Sequence, residues 1–156
     1  MTYVDRGCST SGTTPSADSS AREPVLSLEL RTAAGTVVIP TIRTVAADLA
    51  ARADFDLDSI DDLRMAVDDL CAMLIRIAAD NATLTCGFTV GSDRIEVAAE
   101  VDVDDVADPL PTGSFGWRVL ECLADEVRTL SLPAEPGQRG RVRITLVKDA
   151  VPAPPT

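Results

Sequence analysis

The sequence predicts an α+β domain in which helices cover one face of a mixed, mostly antiparallel sheet. Residues 83–90 and 94–101 alternate apolar and polar side chains on either side of a Gly-Ser-Asp turn, which predicts a β-hairpin. Apolar side chains recur at helical spacing in residues 38–53 and 59–77, which predicts two amphipathic helices before that hairpin. The complete predicted order is strand, helix, helix, strand, strand, helix, strand, strand.

The elements in the first half of the domain follow from local patterns. Residues 25–31 alternate imperfectly and predict a strand. Pro40 falls in the first turn of the first helix, where its missing N–H costs little. The second helix is expected to begin with a capping box in which Ser59 is the N-cap and Asp62 replaces the usual glutamate.

The second half of the domain adds one helix and two strands. Residues 114–127 have an apolar stripe that predicts a helix, and residues 128–132 and 141–148 alternate as strands do. Trp117 is expected to face the core. A partner-facing position is its alternative, because tryptophan is enriched among the residues that dominate protein interfaces.

The length of 156 residues suits one domain, which we place at residues 24–149. Residues 1–23 are rich in serine, threonine and glycine and lack apolar periodicity, which predicts a disordered tail. The Pro-rich residues 150–156 predict a second disordered tail. Aromatic residues make up only 3% of the chain, so the core is expected to be aliphatic.

The charge balance and the missing residue types exclude several functions. A net charge of −11 repels phosphate backbones, so we expect no direct nucleic-acid binding and favour a basic protein partner. The chain has no histidine, which excludes Ser-His-Asp and Cys-His catalysis. No pair of cysteines has metal-ligand spacing, and no acidic loop has a known metal-binding pattern, so no metal site of the protein's own is expected.

The cysteines and the hydropathy pattern indicate a cytoplasmic protein. Cys71, Cys86 and Cys122 are expected on apolar faces as free thiols, which fits a reducing compartment. No apolar run is long enough to span a membrane, so no membrane partner is expected.

Three stretches carry a resemblance to a known family: "DDLRMAVDDLCAMLI" at 61–75, "GSFGWRVLECLADEV" at 113–127 and "GRVRITL" at 140–146. Together with the long second helix and the hairpin after it, they resemble the Bergerat fold, a two-layer sandwich. More narrowly, the chain is similar to anti-sigma factors among the histidine-kinase-like ATPases, the bacterial regulators of general-stress and sporulation switches. The resemblance covers about residues 26–148, and the high alanine and aspartate content fits an actinobacterial member.

The resemblance implies a nucleotide pocket along the second helix. Family members carry there a glutamate that acts as a base or positions water, and four residues later an asparagine that holds Mg²⁺. Aligning the stretch puts Asp69 at the glutamate position and Met73 at the asparagine position. Because Mg²⁺ requires oxygen ligands and a thioether is soft, we expect ATP or ADP with Mg²⁺ to bind weakly or not at all.

The family's two glycine motifs are retained unequally. Residues 100–109, in place of the first motif, contain no glycine but several aspartates, namely Asp102, Asp104, Asp105 and Asp108. They are expected to repel a triphosphate, although a solvated acidic loop is the simpler interpretation. The second motif is kept as "TGSFGW", in which Gly113, Ser114 and Gly116 are expected to present N–H groups to a phosphate.

The adjacent aspartates of the second helix have two interpretations. Asp68 is expected on a solvated face, paired with Arg64 one turn earlier. For Asp69, a solvated face and a shortened relic of the pocket carboxylate have equal weight. Met73 is expected to pack as an ordinary methionine at the surface or the edge of the core.

The resemblance supports two functional hypotheses. In the first, the chain is a homodimeric anti-sigma factor that sequesters a sigma factor and is antagonised by an anti-anti-sigma factor. Arg43, on the exposed side of the first helix, lies where family members bind partners. In the second, the chain is a serine/threonine kinase that phosphorylates its antagonist with ATP and Mg²⁺, using Asp69 as the base.

Overall fold

Nine elements follow one another in the computed structural model, which describes residues 26–105, 110 and 112–151. They are β1 (Leu26–Ala33), a 3-10 turn (Thr36–Val38), α1 (Ile39–Arg52), α2 (Leu57–Ile77), β2 (Thr83–Val90), β3 (Arg94–Val103), α3 (Phe115–Leu123), β4 (Glu126–Leu132) and β5 (Gly140–Asp149). The tails predicted at 1–23 and 150–156 lie almost entirely outside the described residues, so those predictions stay untested.

The five strands form one sheet in the order β1-β2-β3-β5-β4. Every pairing among these strands is antiparallel, so the predicted mixed sheet is wrong in that detail. The physical reason is the position of β5. The chain crosses from β3 through α3 to β4, which runs parallel to β3, and β5 then returns between them and pairs with both.

The buried side of the sheet carries every second residue of its central strands. In the hairpin, Phe88 lies opposite Val97, and Ala99 pairs with Ile144 on β5. These alternating side chains are buried beneath the helices, as the sequence predicts. The core is almost wholly aliphatic, and Phe55, Phe88 and Trp117 are its buried aromatic residues in the described part of the chain.

The first helix begins after the 3-10 turn, with Pro40 in its first turn as predicted. It buries Ile42, Ala46 and Leu49 against the rest of the core. None of the helices formed by the described residues combines the length and apolar character that crossing a bilayer demands.

The second helix is capped by Asp56 rather than by Ser59. The Asp56 carboxylate accepts a hydrogen bond from the Ser59 backbone N–H at 3.2 Å and another from the Ser59 hydroxyl at 2.6 Å. Both bonds lower the pKa of Asp56, and the bond from the Ser59 hydroxyl has the larger effect. A carboxylate three residues earlier competes better for the N–H groups of the first turn than a hydroxyl does, so the predicted capping box is wrong.

The third helix ends at Leu123, four residues before its predicted end. Lys148, the only lysine in the sequence, donates to the Leu123 carbonyl at 3.0 Å and contacts Asp62 of α2 at 3.3 Å. The chain turns into β4 at once, because the Asp125 N–H already bonds the Val147 carbonyl. Asp62 therefore ties the start of α2 to the end of α3 instead of closing a capping box.

The cysteines divide by burial. Cys71 on α2 and Cys86 on β2 are buried in the core as free thiols, as expected. A hydrogen bond that the Cys71 thiol donates to Cys86, followed by burial, raises the pKa of Cys71, which makes it an unreactive thiol. Cys122 is exposed, so its predicted place on an apolar face is wrong.

Candidate functional site

The two adjacent aspartates of α2 lie on opposite flanks of the helix. Asp68 accepts a hydrogen bond from Arg43 of α1 at 2.9 Å, and each side chain is about one-third exposed. The predicted pairing of Asp68 with Arg64 is wrong, because Arg64 lies 3.8 Å from Asp61 on the more exposed side of the helix. The second carboxylate oxygen of Asp68 is buried and has no hydrogen-bond partner among the described residues.

Asp69 lies on the flank of α2 that faces α3. Asp62, seven residues before it, and Met73, four residues after it, fall on the same stripe of the helix. Asp62 contacts Lys148, which bonds the last residue of α3, and Met73 packs against Gly116 of α3. Asp69 is partly buried, and burial, followed by the charge of Asp68, raises its pKa. No other described residue pairs with its carboxylate. Asp69 is therefore partly shielded from solvent and makes no ion pair with any residue that the structure describes.

Met73 joins α2 to the beginning of α3. Its side chain is only 6% exposed and belongs to the main core. Its terminal methyl carbon lies 3.1 Å from the position that a Cβ on Gly116 would take. Two residues predicted to line a nucleotide pocket are thus brought together, but the space between them is filled by the methionine.

The turn before α3 uses its polar groups to start the helix. The Ser114 hydroxyl accepts a hydrogen bond from the Trp117 N–H at 3.2 Å, which makes Ser114 the N-cap. A Cβ added to Gly113 would meet open space, whereas at Gly116 it would meet Met73. Trp117 is buried and donates to Glu121 at 3.0 Å, so its predicted place in the core is confirmed.

The resemblance implies that the acidic stretch after β3 lies near the space between α2 and the start of α3, called here the α2–α3 cleft. Asp102 lies on the sheet face opposite the helices, between the buried residues Val101 and Val103. Its carboxylate therefore lies on the sheet face away from the cleft, and not beside it as the sequence suggests. Asp104 and Asp105 are exposed, and Asp108 lies outside the described residues.

The residues that flank the α2–α3 cleft do not fit a magnesium nucleotide. Met73 offers a thioether where a hard metal ion needs an oxygen ligand. Of the two helix positions that the family uses, only the one occupied by Asp69 supplies oxygen. The Ser114 hydroxyl is already used as a helix cap. Within the described ranges, no group of three or more side chains of the metal-binding types comes together.

A concave region lies on the opposite face of the sheet. It has a volume of about 470 Å³, and its floor is formed where Gly87 pairs with Ala98, which lack large side chains. Glu100 at its rim accepts hydrogen bonds from Arg141 and Arg143, both at 2.9 Å. Glu100 and these two arginines thus neutralise one another, as expected for the solvated face of an antiparallel sheet.

The fold and the cleft define a small α+β domain. Its long helix α2 carries a partly buried carboxylate, Asp69, on the flank that faces the glycine-containing start of α3.

No protein-family model matches the chain. It is 38% identical over 120 residues to the anti-sigma-F factor RsbW of two Mycobacterium tuberculosis strains, covering 76% of this chain and 70% of the relative. It is 29% identical over 121 residues to the serine-protein kinase RsbW of Bacillus subtilis, covering 65% of this chain and 76% of that protein. A similar match, at 27% identity, is to the serine-protein kinase RsbW of Bacillus licheniformis. The chain belongs to the RsbW family of anti-sigma factors.

The structure adds a link that the sequence did not indicate. Arg43 and Asp68 are 25 positions apart, and no local pattern pairs them. Arg43 is consequently only partly exposed, and one of its N–H groups is already bonded within the chain. Its predicted role in partner binding stays a prediction.

Proposed function

We propose that this protein is an anti-sigma factor that sequesters an alternative sigma factor and so blocks its docking on the RNA polymerase core. Support comes from the 38% identity to proteins named anti-sigma-F factor over three-quarters of the chain. Sequestration requires a docking surface and no chemistry. Met73 favours this function over catalysis, because a thioether at the metal position implied by the family cannot hold the Mg²⁺ that phosphoryl transfer requires.

The charge of the chain supports a basic partner. Sigma factors need basic surfaces to contact DNA, and a chain with a net charge of −11 complements them. The helical layer contributes through α2, which carries five aspartates, Asp58, Asp61, Asp62, Asp68 and Asp69, against two arginines, Arg64 and Arg76. Long-range attraction of this kind raises the association rate and makes it sensitive to salt.

Arg43 is our proposed contact on this acidic layer. Its guanidinium has five N–H donors, and one of its nitrogens is bonded to Asp68. A side chain that is 35% exposed leaves further donors for a carboxylate or carbonyl of the partner. The ion pair holds the guanidinium in place, so less side-chain entropy is lost on binding.

We further propose the wider regulatory setting implied by the family. The protein acts as a homodimer in the cytoplasm, within a stress or sporulation switch. An anti-anti-sigma factor releases the sigma factor by competing for the same protein. Nucleotide binding is weak or lost.

Co-purification with candidate sigma factors tests this function. The tagged chain is expected to retain one sigma factor at micromolar concentrations, and the complex is expected to weaken as salt rises. Arg43→Glu is expected to weaken capture at least about tenfold. Arg52→Glu is the matched control, because Arg52 is on the same helix and pairs with Asp48 only one turn away. Failure of every candidate sigma factor to bind would refute the proposal.

A serine/threonine kinase acting on the antagonist is the second candidate function. Two relatives carry the name serine-protein kinase, and the raised pKa of Asp69 is compatible with a base. Label transfer from γ-labelled ATP to an anti-anti-sigma factor tests it. Mg²⁺-dependent transfer that is lost in Asp69→Asn would establish the kinase, whereas no transfer by the wild-type protein would exclude it.

A further inference from the structure

We infer that Met73 closes the α2–α3 cleft to nucleotides, and, resting on the proposed function, that sigma-factor binding by this protein does not respond to ATP or ADP. Met73 lies on α2 and Gly116 lies on α3, and both belong to the part of the chain that the structure describes.

Gly116 occupies the first turn of α3, where free N–H groups make an attractive site for an anion. A glycine there allows a ligand to approach the backbone closely, because no Cβ stands in the way. In this protein, the methyl group of Met73 lies 3.1 Å from where that Cβ would be. The approach that the glycine leaves open is therefore filled from within the chain.

The filling side chain is part of the core and not a loose cover. Met73 is 6% exposed, whereas Met65, two turns earlier on the same helix, is 54% exposed. Displacing Met73 would expose apolar surface and break its contact with α3, so nucleotide binding would have to offset that cost. The nearby polar groups would make few favourable contacts with a phosphate. The Ser114 hydroxyl already caps α3, and Asp69 repels a phosphate when it is ionised.

Titration of the purified chain with nucleotide tests the closure without any partner. Thermal unfolding is followed with Mg-ADP or Mg-ATP at rising concentrations up to the millimolar range. A ligand that binds the folded state raises the melting temperature in a saturable manner. We expect no such rise for the wild-type protein. A saturable, Mg²⁺-dependent rise at micromolar nucleotide would overturn the inference.

Oxidation by hydrogen peroxide checks the position of Met73 in the same protein. Peroxide transfers one oxygen atom to a thioether, giving a sulfoxide, and is reduced to water. Mass spectrometry is expected to find Met65 oxidised at least about tenfold faster than Met73, in line with their exposure. Equal rates would show that Met73 does not fill the cleft.

Two substitutions separate size from chemistry. Met73→Asn removes the methyl group and supplies an amide oxygen, and it is expected to tighten Mg-ADP binding at least about tenfold. Met73→Leu keeps an apolar side chain in the cleft and is expected to leave binding undetectable. Equal affinity in the two variants would contradict the inference. If Met73→Asn fails to fold, the wild-type titration and the oxidation rates still decide.

Sigma-factor capture with and without nucleotide separates the inference from the proposed function. Equal capture of the sigma factor with and without nucleotide supports the closure by Met73 and the anti-sigma function alike. Capture that changes with ATP or ADP would overturn the inference and leave the anti-sigma function standing. If no sigma factor binds while the titration stays flat, the anti-sigma function fails and only the closure by Met73 survives.

Discussion

Arg43 of α1 and Asp68 of α2 form an ion pair with an N–O distance of 2.9 Å, which joins two helices across 25 positions of sequence. The same carboxylate keeps its other oxygen buried without a partner in the described part of the protein. The pair therefore holds the two helices in register and also fixes a guanidinium on the proposed partner surface.

Breaking this pair is expected to destabilise the protein. Arg43→Ala leaves the Asp68 carboxylate without its cation, and we expect the free energy of unfolding to fall by about 1 kcal/mol, since both groups are partly screened by solvent. Urea denaturation measures the change. A double-mutant cycle with Asp68→Ala is expected to give a coupling of about 0.5–1 kcal/mol. Coupling near zero would mean that the pair has no structural role.

The neighbouring aspartates are expected to respond to amide substitution with opposite signs. Burial raises the pKa of Asp69 above the ordinary 3.8, so its contribution to stability is present below pH 3.8 and is lost as the pH rises through the folded-state value. Asp69→Asn is therefore expected to stabilise the protein slightly at pH 7, by about 0.5 kcal/mol or less because water screens the group. This gain is expected to vanish below pH 3.8.

Asp68→Asn is the matched comparison for Asp69→Asn. It removes the negative charge that pairs with Arg43 and is expected to destabilise the protein at pH 7. Urea denaturation of both variants at pH 7 and below pH 3.8 gives the pH dependence. Destabilisation by both substitutions at neutral pH would contradict the different environments assigned to the two carboxylates.

Gly116→Ala is expected to cost stability although alanine favours helices. The new methyl would lie 3.1 Å from Met73, whose side chain is held in the core. We expect destabilisation of about 1 kcal/mol, comparable to other overpacking changes. Adding Met73→Ala to the Gly116→Ala variant is expected to remove this overpacking cost. Gly113→Ala is the control, because its Cβ meets open space. If Gly116→Ala raised the free energy of unfolding, the packing of Met73 against Gly116 would be loose enough to accept a methyl group.

Lys148→Met is expected to loosen the end of α3. The Lys148 side chain is 13% exposed, and its ammonium group bonds the Leu123 carbonyl and contacts Asp62. Loss of this donor leaves a shielded carbonyl unpaired, which is expected to cost about 1–3 kcal/mol in urea denaturation. Arg139→Met, which removes an exposed bond to the Asp80 carbonyl, is expected to change stability by about 0.5 kcal/mol or less. Equal effects would argue against a special role for Lys148.

Local patterns predicted the elements well. The alternation in β2 and β3 specified their buried residues, and the apolar stripe of α2 was found on the core side, because those periods reflect geometry within one element. The position of β5 between β3 and β4 depends on a crossover through α3, and no local pattern records it. The cap of α2 was misplaced because Asp56 and Ser59 are both acceptable N-caps, and their competition depends on acceptor strength.

The candidate site was predictable only in part. Family resemblance identified Met73 and Gly116, and the structure brings them into contact. Their distance could not be foreseen, because it depends on how α3 packs against α2. Asp102 was assigned to the cleft from its place in the sequence, but strand alternation puts it on the other sheet face. The long-range partners of Asp68 and Asp62 likewise belong to tertiary packing.

The most direct measurement of the central claim is the affinity of the nucleotide-free chain for its sigma factor in buffer containing EDTA, which removes Mg²⁺. We expect a micromolar or tighter Kd by isothermal titration calorimetry, unchanged when Mg-ATP replaces EDTA. A complex that forms only with Mg-ATP present would contradict a docking surface that works without nucleotide.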